Sequence, residues 1–258
     1  MQYDFNKVIN RRGTYSTQWD YIQDRFGRSD ILPFSISDTD FPVPVGVQEA
    51  LEQRIKHPIY GYTRWNNEDY KNSIINWFSS QNQVTINPDW ILYSPSVVFS
   101  IATFIRMKSA VGESVAVFTP MYDAFYHVIE DNQRVLAPVR LGSAQQDYSI
   151  DWDTLKTVLK QTATKILLLT NPHNPTGKVF SDDELKHIVA LCQQYNVFII
   201  SDDIHKDIVY QKAAYTPVTE FTTKNVVLCC SATKTFNTPG LIGAYLFEPE
   251  AELREMFL

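Results

Sequence analysis

The sequence is poor in cysteine, with three in 258 residues, and those three do not form a recognisable site. Cys192, Cys229 and Cys230 make neither the even set that a disulfide framework needs nor the spacing of metal ligands. Two of them are adjacent within an apolar run, where a buried thiol behaves as a small hydrophobic group. This usage argues against a disulfide-rich secreted domain, and we expect a cytoplasmic protein.

Long hydrophobic runs and an excess of positive charge are also missing. No apolar run approaches the roughly 20 residues that a membrane-spanning helix needs, so we expect no membrane span. Residues 1–5 show no basic segment leading into an apolar one, so we expect no secretory signal. The net charge of −6 argues against general binding to nucleic acid or to anionic membranes.

Three short apolar runs are present, and each is followed at once by a polar cluster. The runs cover 165–170, 197–200 and 226–230, and the clusters begin at Asn171, Ser201 and Ser231. Short apolar runs bounded by turn residues are typical of buried strands in a parallel sheet. Because open α/β sheets bind ligands just past the carboxyl ends of their strands, the sequence predicts a ligand site there.

Helical and strand patterns alternate over most of the chain. Ser181 and Glu184 have the spacing of a capping box, which predicts the start of a helix over 182–195. Further helices are predicted over 67–80 and 98–105, and further strands over 90–93, 115–119 and 135–139. This alternation predicts an α/β fold with a mostly parallel sheet and helices on both faces.

The two ends of the chain differ from this pattern. Residues 1–45 are irregular and rich in aromatic side chains, and we predict an N-terminal arm that forms part of a small domain. Residues 46–258 are predicted to form a large ligand-binding domain. Because the helical pattern over 250–258 stops on an apolar stretch without a cap, we expect that domain to be incomplete at its C-terminal end.

Three of the polar residues after the predicted strands suit one cofactor. Lys234 follows the run 226–230, where partial loss of hydration favours a neutral, nucleophilic amine. Asp202 ends another predicted strand, and Asn174 lies in a rigid turn between two prolines. A lysine for a Schiff base and a carboxylate for the pyridine nitrogen are what pyridoxal phosphate requires, and the amide suits its phenolic oxygen. The sequence therefore predicts a pyridoxal phosphate site.

Other residues extend this hypothesis or compete with it. Ser96 and Val97 precede a predicted helix, whose free N–H groups can hold a phosphate. Tyr122 follows the predicted strand 115–119 and suits stacking on a ring, although a lone aromatic is more often a core residue. A metal site is the alternative for the acidic cluster of Asp202, Asp203, His205 and Asp207. Adjacent residues of an extended chain point to opposite faces, so we expect no metal.

Taken together, these motifs resemble those of a known enzyme superfamily. The matching segments are 36–41, 59–65, 119–125, 171–177, 201–205 and 231–237. The chain is similar throughout its length to fold-type I aminotransferases, and more closely to the MalY/PatB group of cystathionine β-lyase-like C–S lyases. Thr39 is a mild departure, because methionine is common at that position in the group.

The resemblance implies roles for eight residues. Lys234 would form the Schiff base and move the Cα proton, and Tyr122 would stack on the ring, so both are expected to be catalytic. Asp202 would pair with the pyridine nitrogen, and Asn174 would bond the phenolic oxygen. Phosphate contacts are implied for Ser96, Val97 and Ser231. A tyrosine at the position of Tyr62 reaches the cofactor of a neighbouring subunit, so a homodimer is expected.

The function implied is β-elimination from a sulfur amino acid, cystathionine or a cysteine S-conjugate, giving a thiol, pyruvate and ammonia. An aminotransferase of class I or II is the alternative, because it shares every cofactor contact named above. The resemblance also implies that the C-terminal small domain is missing, together with the arginine that binds the substrate carboxylate. A third hypothesis is therefore an inactive, truncated homologue that acts through protein contacts.

Overall fold

The computed structural model describes residues 3–210 and 213–258, which form two compact units. The first unit comprises Met1–Tyr62 and Thr233–Leu241, and the second comprises Thr63–Ala232 and Ile242–Leu258. The predicted arm, 1–45, therefore lies within the first unit. The division of the whole protein into domains at residue 45 stays a prediction.

The second unit contains the sheet and six of the helices. Its strands are β1 (Ile91–Ser94), β2 (Ser114–Thr119), β3 (Val135–Arg140), β4 (Thr164–Thr170), β5 (Phe198–Asp202), β6 (Val226–Cys230) and β7 (Ala244–Phe247). Its helices are α3 (Glu68–Asn82), α4 (Val97–Lys108), α5 (Asp123–Asp131), α6 (Trp152–Leu159), α7 (Asp182–Tyr195) and α8 (Ala251–Phe257). Every helix and strand predicted from the sequence is present, with shifts of one or two residues at most ends.

The seven strands form one sheet in the order β1-β7-β6-β5-β4-β2-β3. The strands β3, β2, β4, β5 and β6 pair in parallel, whereas β7 is antiparallel to both of its neighbours, β6 and β1. Since β1 and β6 are both antiparallel to β7, they run in the same direction. The prediction of a mostly parallel α/β sheet is confirmed.

Alternate residues of the buried strands pack on opposite faces of the sheet, as the two-residue period of a strand requires. On one face, side chains such as Val117 of β2 and Ile200 of β5 pack against α4, α5 and α8. On the other, side chains such as Phe118 and Ile199 pack against α6 and α7, with α3 beside them. Both faces are therefore covered by helices, as the sequence predicts.

Four helices of the second unit, α3, α4, α6 and α7, begin at a residue whose side chain caps them. Ser181 and Glu184 form the predicted capping box at α7, with each side chain bonded to the other's backbone. Asn67 accepts from Tyr70 N at the start of α3, and Ser96 accepts from Phe99 N at the start of α4. These caps fix where α4 begins, directly after β1.

The last helix, α8, packs onto the second unit. Leu253 is buried, and the ring of Phe257 stacks on Phe104 of α4 with centroids 5.5 Å apart. The apolar pattern at the end of the sequence is thus that of a packed helix. None of the helices among residues 3–210 and 213–258 has the length and apolar composition to cross a membrane.

The first unit has little regular structure. Its helices are α1 (Ile22–Phe26) and α2 (Val45–Lys56), and no residue of α2 is buried. An ion-pair cluster organises the segment before α2: Arg11 binds Asp38 at 2.6 Å and Asp40 at 2.8 Å. The indole nitrogen of Trp19 also donates to Asp40 at 2.8 Å. Among residues 3–45, only α1 and the first residue of α2 are helical, and no strand is present. That this segment forms an N-terminal arm stays a prediction.

Candidate functional site

The carboxyl ends of six strands, all except that of β7, share one edge of the sheet in the second unit. Because these strands run in the same direction, the residues that follow them meet at that edge. The topology gives their order: Ser96 and Val97 follow β1, Ser231 follows β6, Asp202 ends β5, Asn174 follows β4, and Tyr122 follows β2. Six of the predicted site residues are thereby brought to one edge of one sheet.

Asp202 is held at the centre of this edge. It is the last residue of β5, only 5% exposed, and its backbone lies between Thr170 of β4 and Cys229 of β6. One of its carboxylate oxygens accepts from the backbone N–H of Ile204 at 3.2 Å. Asp202 is thus a buried carboxylate with a fixed position at the end of β5.

Tyr122 lies immediately before α5 and is 40% exposed, so it is not the core aromatic that the alternative interpretation required. The ring packs edge-on against Phe125, with centroids 5.4 Å apart. Partial burial raises the pKa of Tyr122, and the negative charges of Asp123 and Asp202 raise it further. The phenol therefore stays neutral at physiological pH.

The start of α4 offers groups that suit an anion. Ser96 accepts from Phe99 N through its hydroxyl oxygen at 3.1 Å, so its hydroxyl hydrogen can donate elsewhere. The first turn of α4 contains no acidic residue, so the partial positive charge of this twelve-residue helix is not neutralised there. Ser231 behaves differently, because its hydroxyl donates to Gly243 O at 2.7 Å. It would have to turn to donate to a phosphate.

The loop that carries Asn174 is held by two buried side chains to which the sequence analysis assigned no role. Asn171 accepts from Phe180 N at 3.1 Å through its amide oxygen. His173 contacts the Thr176 hydroxyl at 2.8 Å through Nδ1, and burial lowers the pKa of His173 to about 4. Asn174 itself is partly exposed. The sequence pattern that could have indicated these two residues is the alternation of polar residues with Pro172 and Pro175.

The acidic cluster after β5 is engaged in other contacts. Asp203 is completely buried and accepts hydrogen bonds from the hydroxyls of Ser201 and Tyr215. Asp207 forms an ion pair with the buried Lys206 at 2.6 Å. Among the residues that the structure describes, no three His, Cys, Asp or Glu side chains are arranged to hold a metal ion.

Lys234 lies in the first unit, four residues after the end of β6 in sequence. Its Nζ donates to the side-chain oxygen of Ser37 at 2.7 Å and to the Ser37 carbonyl at 3.1 Å. Tyr62, also in the first unit, is fully exposed. The interaction with Ser37 was not predicted, although Ser37 lies inside the motif 36–41.

Comparison with known proteins agrees with these features. The family model for aminotransferase class I and II matches residues 29–256. The chain is 42% identical to protein MalY of Escherichia coli over 256 residues, which is 99% of this chain and 66% of that protein. It is 32% identical over 257 residues to cystathionine β-lyase PatB of Bacillus subtilis, covering 98% of this chain and 66% of PatB.

A solved structure gives the same result for the fold. Cystalysin from Treponema denticola, which contains a pyridoxal 5′-phosphate cofactor, aligns with a TM-score of 0.94 at 27% identity. That alignment covers 100% of this chain and 66% of cystalysin, so the chain spans about 66% of the length of these relatives. The predicted fold is confirmed, and the match over residues 29–256 shows that this chain belongs to the aminotransferase class I and II family.

Proposed function

We propose that this protein is a pyridoxal phosphate-dependent carbon–sulfur lyase that acts on cystathionine or a related cysteine S-conjugate. The observation that carries the proposal is the order of side chains along the sheet edge, from Ser96 through Asp202 to Tyr122. Similarity to the cystathionine β-lyase PatB supports the choice of reaction. The chain spans about 66% of the length of its relatives, so lyase activity of this chain is proposed from that similarity.

The donor set at this edge fits pyridoxal phosphate. An uncompensated helix start at Ser96 and Val97 suits a phosphate, because helix N-termini bind anions. A buried carboxylate at Asp202 suits a protonated pyridine nitrogen. Between Asp202 and Tyr122, the loop after β4 carries an amide at Asn174. These groups suit the phosphate, the ring nitrogen and the phenolic oxygen of the cofactor.

When bound, this cofactor supplies an electron sink for the negative charge that develops at the substrate Cα. Lys234 would hold the cofactor covalently through Nζ and, when displaced by the substrate amine, would take the proton from Cα. Asp202 keeps the ring nitrogen protonated by accepting its hydrogen bond. Loss of the β-sulfur as a thiol, followed by hydrolysis, leaves pyruvate and ammonia.

The remaining residues position the cofactor. We assign the amide of Asn174 to the phenolic oxygen and the ring of Tyr122 to stacking. Ser96, the backbone N–H of Val97 and, after rotation of its hydroxyl, Ser231 are assigned to the phosphate. The neutral phenol of Tyr122 suits stacking, because it adds no negative charge beside Asp202.

We also propose an assembly state and a cellular location for the enzyme. We assign Tyr62 to the phosphate of a second subunit's cofactor, which makes the active form a homodimer; its full exposure supports this role. We also assign the enzyme to the cytoplasm, which suits its three free and buried cysteines. Sedimentation of the purified protein and fractionation of its source cells test these two points.

Covalent attachment of the cofactor is the first test. The protein is mixed with pyridoxal phosphate and reduced with borohydride, and the added mass is mapped by peptide mass spectrometry. We expect the mass on Lys234 and its loss in Lys234→Ala. The matched control is Lys224→Ala, since Lys224 precedes β6 at the opposite end of that strand. Attachment to another lysine in the parent protein would show the assignment to be wrong.

The reaction is tested with cystathionine as substrate. A lyase releases pyruvate without any added keto acid, whereas an aminotransferase of class I or II needs one as acceptor. We expect pyruvate release in the parent protein and none in Asp202→Ala, which should retain weak cofactor binding. Product formation only with a keto acid would favour the aminotransferase. Cofactor attachment without either product would favour a homologue that acts through protein contacts.

A further inference from the structure

The amine of Lys234 has a defined resting place in the first unit. Its Nζ lies 2.7 Å from the hydroxyl oxygen of Ser37 and 3.1 Å from the carbonyl oxygen of the same residue. These two residues are 197 positions apart in the sequence. A pair of oxygen atoms from one residue thus contacts the nitrogen to which the proposed function assigns the chemistry.

The segment that carries Ser37 is fastened to the loop that carries Lys234. Asn237 accepts from Thr39 N at 2.9 Å and donates to Thr39 O at 3.0 Å and to Phe41 O at 2.9 Å. Its backbone has a φ of +54°, a left-handed conformation that Asn tolerates better than most residues. Asn237 follows Lys234 by three residues. Its hydrogen bonds to Thr39 and Phe41 therefore hold the segment that carries Ser37 beside the loop that carries Lys234.

The same segment is fixed on its other side by charge. Arg11 binds the carboxylates of Asp38 and Asp40, and these bonds hold the pKa of Arg11 above its usual range. Asp38 directly follows Ser37, so the backbone carbonyl of Ser37 is adjacent to an anchored residue. The backbone around Ser37 is therefore held by Arg11 and by Asn237, and this fixes the position of Ser37 relative to Lys234.

The chemistry of the two oxygens differs in a way that matters for a lysine. An ammonium group only donates, and both oxygens of Ser37 accept from it. A neutral amine has a lone pair, to which a hydroxyl can donate after rotation but a carbonyl cannot. The Ser37 hydroxyl therefore suits the amine in both protonation states, which is what a lysine that alternates between binding and releasing a proton requires.

We infer that Ser37 is a positioning residue for Lys234, whose hydroxyl holds the free amine whenever that amine is not covalently bound. The inference rests on the proposed function for its meaning in catalysis, whereas the contact between Lys234 and Ser37 is observed in the structure. Ser37 acts only through Lys234. The carbonyl of Ser37 belongs to the backbone and is retained in every substitution, so the hydroxyl is the part of this contact that a substitution can test.

The experiment measures the reactivity of Lys234 in the cofactor-free protein. Trace labelling with acetic anhydride across a pH series, read by mass spectrometry, gives the reactivity of each lysine. Ser37→Ala should raise the labelling rate of Lys234 near neutral pH about threefold to tenfold, because one hydrogen bond to the charged form is lost. It should also move the midpoint of the Lys234 profile to lower pH.

Two variants make the result specific. Ser37→Thr retains the hydroxyl and should restore the parent profile of Lys234. Ser35→Ala removes a nearby hydroxyl that has no hydrogen-bond partner, and it should leave the profile unchanged. Lys186, an exposed lysine on α7, is the internal reference and should label equally in all proteins. An unchanged Lys234 profile in Ser37→Ala, with parent-like circular dichroism, would overturn the inference.

A second measurement separates this inference from the proposed function. Pyridoxal phosphate is added to each variant, and the rate of its borohydride-trapped attachment is followed. If cofactor maps to Lys234 and Ser37→Ala alters that rate whereas Ser37→Thr does not, both proposals are supported. If cofactor attaches elsewhere but the labelling effect persists, the contact stands and the catalytic assignment fails. Attachment to Lys234 without any labelling effect would retain the function and reject Ser37.

Discussion

The phenolic hydroxyl of Tyr215 donates a hydrogen bond to Asp203, and both side chains lie in the protein interior. The other carboxylate oxygen of Asp203 accepts from Ser201. Burial raises the pKa of Asp203 from 3.8 to about 7, against the opposing effect of these two hydroxyl groups. Asp203 directly follows Asp202 in the sequence, but both of its carboxylate oxygens accept hydrogen bonds from side chains of the core. We therefore assign it no contact with the proposed cofactor.

Tyr215→Phe should lower the free energy of unfolding by about 1–3 kcal/mol, because it leaves a buried carboxyl oxygen without its donor. Urea denaturation followed by circular dichroism measures this change. Tyr210→Phe is the matched control, since Tyr210 is 90% exposed and its hydroxyl should contribute little. Equal stability of the two variants would contradict the importance of the Tyr215 hydrogen bond.

Asp203→Asn should change the dependence of stability on pH. With a pKa of 3.8 unfolded and about 7 folded, the native protein binds more protons than the unfolded chain between these values. Stability from this group is therefore lost as pH rises from about 4 to 7, and it is fully present below that window. The variant does not titrate, so its stability should fall less over this range than that of the parent protein.

This comparison has to be made as a difference between variant and parent. Glu248 contributes with the same sign, because burial raises its pKa from 4.5 to about 8. Glu248→Gln should therefore reduce the pH dependence of the free energy of unfolding at slightly higher pH than Asp203→Asn does. Identical pH profiles for Asp203→Asn and the parent protein would show that Asp203 is ionised in both states.

His173→Gln should act in the opposite direction. Burial lowers the pKa of His173 from 6.5 to about 4, so the unfolded chain binds the proton more readily between these values. Its stabilisation is present above pH 6.5 and is lost as pH falls towards 4. The glutamine keeps a polar group near Thr176 without titrating. The variant should lose less stability than the parent protein on acidification, as measured by urea midpoints at pH 7 and pH 4.5.

Ser181→Ala should destabilise the protein by about 1 kcal/mol, because α7 loses the cap that accepts from Glu184 N. Thermal or urea unfolding measures this loss. Ser181→Asp retains an oxygen at the cap position and should recover most of it. If alanine and aspartate behaved alike, the capping box would contribute nothing measurable to α7.

The sequence predicted the sheet and its helices because the signals for them are local. The apolar run 226–230 and the cap at Ser181 each describe their own element, and both are confirmed. Strand order is not local. That β7 inserts between β1 and β6 depends on packing between residues far apart in sequence, and no pattern in any single segment indicates it.

The candidate site was predictable to the same extent. Asp202 and Tyr122 follow strands that meet at one edge, so their positions come from the sheet. The contact between Ser37 and Lys234 joins segments 197 residues apart, and sequence pattern gives no measure of such a distance. Tyr215 was not identified for the same reason, since its partner Asp203 lies twelve positions earlier in the sequence.

The antiparallel strand β7 has a consequence for how the chain folds as it is synthesised. Ser94 of β1 pairs with Ala244, 150 residues further along, and β1 lies at the edge of the sheet with β7 as its neighbour. During translation, β1 therefore lacks the backbone hydrogen bonds of its partner strand until residues 244–247 have left the ribosome. The parallel strands from β2 to β6 can associate earlier, so β7, which is made after all of them, is the strand that joins β1 to this sheet.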